Sequence, residues 1–314
     1  MVGDLATIEA ALRDEIQRDP DVVAGPMADL FAAGGKRLRP ALLLLAARCG
    51  RYDFEQLTPA AMAVELTHSA TLVHDDVIDR SHVRRGRPTV AAVLGDEPAI
   101  VIGDFYFAKA YEHAARTGST EVVGILAKTV MEICAGEVRQ QAIRYRYSTG
   151  VEEYMRRIEA KTATLLAACC DIGAVLAGLP KAQRSALHSY GRLLGLAFQI
   201  ADDVLDYLGS VGEIGKPIGQ DIAEGFATLP VMVAMEDEDV AARLKRVLQD
   251  GRKLNPKDAR EVVEVVRHSR GPQRAIERAQ EYASAASLQL DAIEAGEARD
   301  ALAALTGYVV SRKL

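Results

Sequence analysis

Cysteine is scarce in this chain, positive charge is not in excess, and no long apolar run occurs. The four cysteines, Cys49, Cys134, Cys169 and Cys170, show no CxxC spacing. Adjacent Cys169 and Cys170 point in different directions on a helix. A zinc site or a disulfide framework is thereby disfavoured, and reduced core thiols in a cytoplasmic protein are expected. The formal net charge is −6, which argues against nucleic-acid binding or adhesion to an anionic membrane. The longest uninterrupted apolar stretches, such as Ala41 to Ala47, are much too short to span a bilayer. Met1 to Pro20 mixes Asp, Glu and Arg and does not read as a signal peptide. Strand-like alternation is equally scarce.

What is present is helical periodicity. Segments rich in Ala, Leu, Glu and Arg dominate, broken by short Gly- and Pro-bearing stretches. Breaks are expected at Gly25-Pro26, Gly34-Gly35, Gly86 to Pro88, Gly118-Ser119, Gly178 to Pro180, Gly209 to Gly219 and Gly271-Pro272. None is long or polar enough for a flexible linker. With 49% apolar and 26% charged residues, the composition is that of an ordinary globular protein. The pattern predicts an all-α bundle of ten or more helices, with residues 1–314 forming a single domain.

One acidic pattern occurs twice, as Asp75-Asp76-Val77-Ile78-Asp79 and as Asp202-Asp203-Val204-Leu205-Asp206. Each DDxxD ends a long apolar stretch. On a helix, positions i and i+4 share a face, so Asp75 stands over Asp79 and Asp202 over Asp206. Like charges at that spacing cost an isolated helix about 0.2–0.5 kcal/mol per pair, so a cation is expected to offset them. Clustered carboxylates suit Mg²⁺, which takes one or two of them and completes its shell with water and substrate phosphates. The plain alternative is a pair of solvated acidic helix ends. Its weakness is that the motif recurs in a matching apolar context.

Cations flank these motifs. Gly34-Gly35-Lys36-Arg37-Leu38-Arg39-Pro40 sets three of them on a glycine-released loop before an apolar helix, a suitable cradle for a diphosphate. Arg84-Arg85-Gly86 follows the first acidic motif, again in an expected loop. Such residues are often merely solvated or ion-paired. His68 lies seven residues before Asp75, two turns back on a similar face; a lone histidine on an apolar helix is more often a satisfied core residue. His74 is expected to support the helix by hydrogen bonding and carries no chemistry. Lys161-Thr162 interrupts an Ala- and Leu-rich helix, where a lysine either snorkels or serves an anion. Gln199 precedes the second motif by about one turn, and Lys216 follows it on a loop.

GGKRLRP, HSATLVHDDVID followed by RRG, the KT pair, FQIADDVLD and GKPIGQD closely resemble, in this order, the trans-isoprenyl diphosphate synthases. The resemblance covers nearly the whole chain. It implies an isoprenoid synthase-like helical bundle around a central apolar cavity, working as a homodimer. It implies that Asp75, Asp79 and Asp202 ligate a trinuclear Mg²⁺ cluster on an allylic diphosphate, with Asp76, Asp203 and Asp206 supporting them. Arg84, Lys161 and Lys216 would contact that diphosphate. Gly35, Lys36, Arg39, His68 and Arg85 would bind isopentenyl diphosphate, the second substrate. Thr162 and Gln199 would turn oxygens toward the allylic cation.

The reaction so implied is ionisation of the allylic C–O bond, attack by the double bond of isopentenyl diphosphate, and loss of a proton to the departed diphosphate. One departure stands out: many members of the family read GKxTLP after the second motif, whereas here Phe226 replaces that lysine in Gly225-Phe226-Ala227-Thr228-Leu229-Pro230. Chain length is expected to depend on Ala70 and Thr71, one turn (about 5.4 Å) deeper than Asp75, where short-chain synthases carry a bulky aromatic; their small size points to about thirty to fifty carbons. The floor of the tunnel is then expected further down, on the helix bearing Phe105, Tyr106, Phe107 and Tyr111. A geranylgeranyl or farnesyl diphosphate synthase is the alternative. A non-catalytic subunit of a heteromeric synthase would have lost its Asp motifs, and a terpene cyclase or head-to-head synthase would lack GGKRLRP with RRG.

Overall fold

Helix formers fill the chain and most breaks fall where glycine or proline was expected, so helices follow one another almost throughout. The computed structural model describes residues 1–32, 35, 37–209 and 218–311. They form two compact units. The first comprises Met1–Val130, Ala168–His188 and Ala292–Arg299; the second comprises Met131–Ala167, Ser189–Asp291 and Asp300–Leu314. The expected all-α class is what is found.

The first unit opens with α1 (Val2–Gln17), α2 (Asp21–Ala32) and α3 (Leu38–Ala47), followed by α4 (Phe54–Ile78). Asp53 caps α4 by accepting from the Gln56 amide. From Ala60 to Thr67 every residue of α4 is buried. A helix apolar on all sides belongs in a core, and α4 packs against α3 and, most extensively, α6 (Asp96–Arg116). Between them lie a two-stranded hairpin, β1 (Val83–Arg84) with β2 (Arg87–Pro88), and the short α5 (Val90–Leu94). A buried polar group ties α1 to α6: the Tyr106 hydroxyl donates to Asp19, and Lys109 lies between Asp19 and Glu15.

One expected break was misplaced, and one took a regular form. Gly25-Pro26 lies inside α2, which runs on through the proline. Gly86 to Pro88 is part of the hairpin rather than of an irregular loop. Arg85 and Gly86 form its turn with φ of 51° and 76°, the type I′ arrangement whose twist matches paired strands.

After α7 (Thr120–Ala142), the second unit holds α8 (Val151–Ile158), which runs through a π-turn at Glu159–Ala163 into α9 (Thr164–Leu176). It also holds most of α10 (Lys181–Leu208), then α11 (Gln220–Glu224), α12 (Leu229–Ala234), α13 (Glu238–Val247), α14 (Pro256–Arg267), α15 (Gly271–Gln289) and most of α16 (Glu297–Val310). Two apolar clusters organise it, one around Tyr207, Val231 and Val262 and one around Tyr154, Ile200 and Ala275. No described helix is long and apolar enough to cross a membrane. All four cysteines are free thiols; Cys169 and Cys170 are buried as expected, whereas Cys134 is exposed on α7.

Candidate active site

In the first unit the C-terminal turns of α4 carry the first acidic motif. Asp76 is turned inward, 2% exposed, and its Oδ1 accepts from Arg84 Nε at 2.9 Å and Nη2 at 2.8 Å. Burial raises the Asp76 carboxyl above the ordinary range, against the pull of Arg84. Asp75 and Asp79 are half-buried on the more open side. The expected support from His74 exists but runs across to the neighbouring helix: its Nε2 donates to the Ile100 carbonyl of α6 at 3.0 Å. Gly103 makes room for it, since a Cβ there would lie 2.2 Å from that nitrogen.

A cationic cluster occupies the same unit. His68 is held neutral, its pKa well below the usual value, first by burial and then by the charges of Arg39, Arg85, Arg84 and Arg37. Arg85 Nη1 and Arg37 Nη1 both face Gly35, 3.3 and 3.5 Å from where a Cβ would stand. The buried Nε of Arg39 has no hydrogen-bond partner among the described residues, and orphaned buried donors are rare in folded proteins. Arg37 and Arg85 both adopt left-handed backbone, at φ 46° and 51°. Such strain costs about 1–3 kcal/mol and persists only where the surroundings enforce it. Of the residues singled out from sequence, Gly35, Arg39, His68, Arg84 and Arg85 therefore lie in one unit with Asp75, Asp76 and Asp79. Lys36 and Lys216 lie outside the described residues.

In the second unit the focus is Asp203, 4% exposed on α10. Tyr154 donates its hydroxyl to Oδ2 at 2.8 Å, and Gln199 donates its amide to Oδ1 at 2.8 Å. The Gln199 carbonyl in turn accepts from the Thr162 hydroxyl at 2.6 Å. Both ends of the Gln199 amide are thus used within this network, an arrangement the residue spacing did not suggest. Burial and the charge of Asp221 push the Asp203 carboxyl up, while Arg157, Gln199 and Tyr154 pull it down. Asp206 is fully buried and accepts from the Gln220 and Asp221 amides at 3.3 and 3.2 Å, anchoring the start of α11. Asp202 is half-buried and Lys161 exposed.

Thr162 reaches Gln199 because the π-turn meets α10 at Gly195. A Cβ there would lie 2.5 Å from the Ala163 Cα. Gly195→Ala is accordingly expected to force the two backbones apart and cost about 1–3 kcal/mol of stability. Thermal melting checks this, and an unchanged midpoint would show that the backbones yield freely.

Phe226, at the position where the resemblance leads one to expect a lysine, is buried beside two guanidiniums. Arg144 and Arg157 stand 5.6 and 5.4 Å from its ring centroid. Arg144 also donates to the Glu224 carbonyl at 2.7 Å and Arg157 to that of Ala227 at 3.0 Å. The segment is clamped by cations instead of bearing one. Arg37 was read only as one of three cations in the diphosphate cradle; Glu65, Tyr154, Arg144 and Arg157 were not singled out from sequence, and of these only Glu65, a charge inside an apolar helix, carried a signal there.

The donor set fits a hard divalent cation. It is made of carboxylates, and burial raises Asp76 and Asp203, so positive charge nearby would offset what the protein alone does not. Among the described residues no three His, Cys, Asp or Glu are grouped to hold a metal unaided. That is compatible with an ion that shares its shell with phosphate oxygens.

The fold is that of the all-α isoprenoid synthases. A family model described as polyprenyl synthetase matches residues 20–266, and the chain belongs to that family, whose members are prenyltransferases. It is 39% identical to component 2 of a heptaprenyl diphosphate synthase from Geobacillus stearothermophilus, with 98% of this chain and 96% of that one covered. It is also 39% identical to a short chain isoprenyl diphosphate synthase from Methanocaldococcus jannaschii, covering 84% and 82%. Among solved structures, a polyprenyl synthase from Caulobacter crescentus complexed with calcium and isoprenyl diphosphate is similar at a TM-score of 0.93 and 37% identity, covering 99% and 95%.

Proposed function

We propose that this chain condenses isopentenyl diphosphate head-to-tail with an allylic diphosphate to give a long-chain trans-polyprenyl diphosphate. The observation that carries the reading is the cluster of Arg37, Arg39 and Arg85 around neutral His68, in the same unit as a complete DDxxD. A site for a second diphosphate beside an acidic motif is what elongation requires and cyclisation does not.

Asp75, Asp79 and Asp202 are the proposed ligands, with Asp76, Asp203 and Asp206 behind them. Mg²⁺ held there supplies the electrostatic stabilisation of a leaving diphosphate. Arg84, Lys161 and Lys216 add cationic donors to that diphosphate. Arg39, Arg85, Lys36, His68 and the Gly35 backbone hold isopentenyl diphosphate so that its double bond faces the allylic carbon. The allylic C–O bond breaks, its electron pair leaves with the diphosphate, and the isopentenyl double bond forms the new C–C bond. The proton lost from the product goes to the departed diphosphate. Thr162 has oxygen lone pairs available to the cation in this scheme. The Gln199 carbonyl, engaged by Thr162, reinforces the same dipole.

The whole chain is proposed to act as one synthase domain and to pair as a homodimer. The name of the Geobacillus relative supports a second reading, in which this chain is one component of a synthase that needs a different partner chain. One experiment separates the two. Purified protein is given Mg²⁺, labelled isopentenyl diphosphate and, separately, dimethylallyl, geranyl, farnesyl and geranylgeranyl diphosphates. Elongation by the chain alone is expected, and none from any starter would favour the two-component reading.

A further inference from the structure

Glu65 lies on α4, inside the buried run from Ala60 to Thr67, with 5% of its side chain exposed. A carboxylate in such a place is costly unless it is paired and hydrogen-bonded. Its partner comes from 28 residues away: Arg37 Nη1 donates to Glu65 Oε1 at 2.7 Å. The other terminal nitrogen of Arg37 is also held by protein, while its buried Nε has no hydrogen-bond partner among the described residues. Nη2 donates to the Phe31 carbonyl at 3.3 Å and lies 3.6 Å from Glu9, and the group sits 5.3 Å from the centroid of the Phe31 ring.

Both terminal nitrogens of Arg37 are therefore committed to protein rather than to a substrate diphosphate, although it stands in the cationic loop. It does something else. Its backbone is the left-handed residue from which α3 starts, and its carbonyl accepts the Ala41 amide in the first turn. Arg39 is the second residue of that helix, and Gly35 lies two residues before Arg37. Whatever pins Arg37 thus determines where the Arg39 side chain and the Gly35 backbone point.

Glu65 also bears on the other cations of the cluster. Its charge acts on both Arg39 and Arg85. Guanidiniums gathered about one imidazole repel one another, and one buried negative charge beneath them reduces that repulsion before any anion arrives.

We propose that Glu65 is a positioning residue for the diphosphate of isopentenyl diphosphate. It pins Arg37 in its left-handed turn, so aiming Arg39 and Gly35, and keeps Arg39 and Arg85 close enough to share one diphosphate. This deepens the function proposed above and rests on it.

The test uses Glu65→Gln, which keeps the shape and removes the charge, beside Glu65→Asp and Arg37→Gln. Calorimetry gives the Kd for isopentenyl diphosphate without an allylic partner, kinetics gives the KM of each substrate, and melting reports stability. Glu65→Gln is expected to weaken isopentenyl diphosphate binding by about 10- to 100-fold, as loss of a residue that orients a ligand does elsewhere. The KM for the allylic substrate should stay within about threefold. Arg37→Gln should reproduce the effect, the double variant should add little to either, and Glu65→Asp should restore part of the affinity. Equal weakening of both substrates together with a lower melting point would overturn the proposal, leaving Glu65 a structural ion pair. So would unchanged isopentenyl diphosphate affinity in Glu65→Gln. If the wild type binds isopentenyl diphosphate but elongates nothing, the proposed function fails while the Kd values still decide the role of Glu65.

Discussion

Asp75→Ala and Asp202→Ala are each expected to lower kcat/KM by about 10³-fold or more, the scale on which removing a leaving-group stabiliser acts. Neither change should unfold the protein. Both carboxylates are half-buried on the more open faces of their helices. Taking away Asp75 also relieves its repulsion with Asp79, worth about 0.2–0.5 kcal/mol. The inner aspartates should behave differently. Asp206 anchors the first amides of α11, and Asp206→Ala is expected to cost about 1 kcal/mol or more, as loss of a capping carboxylate does. Asp203→Ala would strand the Tyr154 hydroxyl and the Gln199 amide, at about 1–3 kcal/mol for each donor left unsatisfied. The contrast within one motif is the check. Turnover near wild type in Asp75→Ala or Asp202→Ala, measured beside an unchanged melting curve, would remove the metal assignment.

Thr71→Phe is expected to shorten the product. Thr71 stands four residues before Asp75 and so shares its face one turn down, about 5.4 Å along the helix. It is half-buried, with its hydroxyl turned back to the His68 carbonyl at 2.7 Å. A larger side chain is expected to be accommodated there more readily than at a fully buried position. Ala70 is different: it has no exposed surface, and a large aromatic there would overpack the core at a cost of about 1–3 kcal/mol. Product analysis from a farnesyl starter should therefore show Thr71→Phe stopping earlier than wild type at a comparable melting point. Unaltered product length would place the stop elsewhere. On α6, Phe105, Phe107 and Tyr111 are half-buried, whereas Tyr106 is committed to Asp19; Phe107 packs 5.6 Å from His74 beside the motif.

The readable part of this protein was local. Two DDxxD repeats ending apolar helices, a glycine-released cationic loop before α3, and a lysine–threonine pair interrupting a helix are short-range patterns. Spacing alone placed Asp75 over Asp79 and Asp202 over Asp206. Where local rules fell short, they were overridden or completed from a distance. Gly25-Pro26 carries the signal of a break, yet α2 continues through it because Met27 and Phe31 are buried along its face. Arg84-Arg85-Gly86 carries a loop signal, and Arg85-Gly86 is a turn; that Arg84 pairs with Arg87 and stands against Asp76 was set from a distance.

By itself the sequence determined the helical class, both acidic motifs and the chemistry their carboxylates and the neighbouring cations suit, because 3.6-residue periodicity and residue type suffice for these. Only the tertiary structure decided which aspartate of each motif turns inward, that Arg37 is bound by Glu65, that Gln199 joins Thr162 to Asp203, and that two arginines stand beside Phe226. Each of these depends on groups distant along the chain meeting at hydrogen-bond or ring-contact range. Burial then makes an unpaired charge costly enough to select one arrangement, and no spacing rule along the chain contains that term.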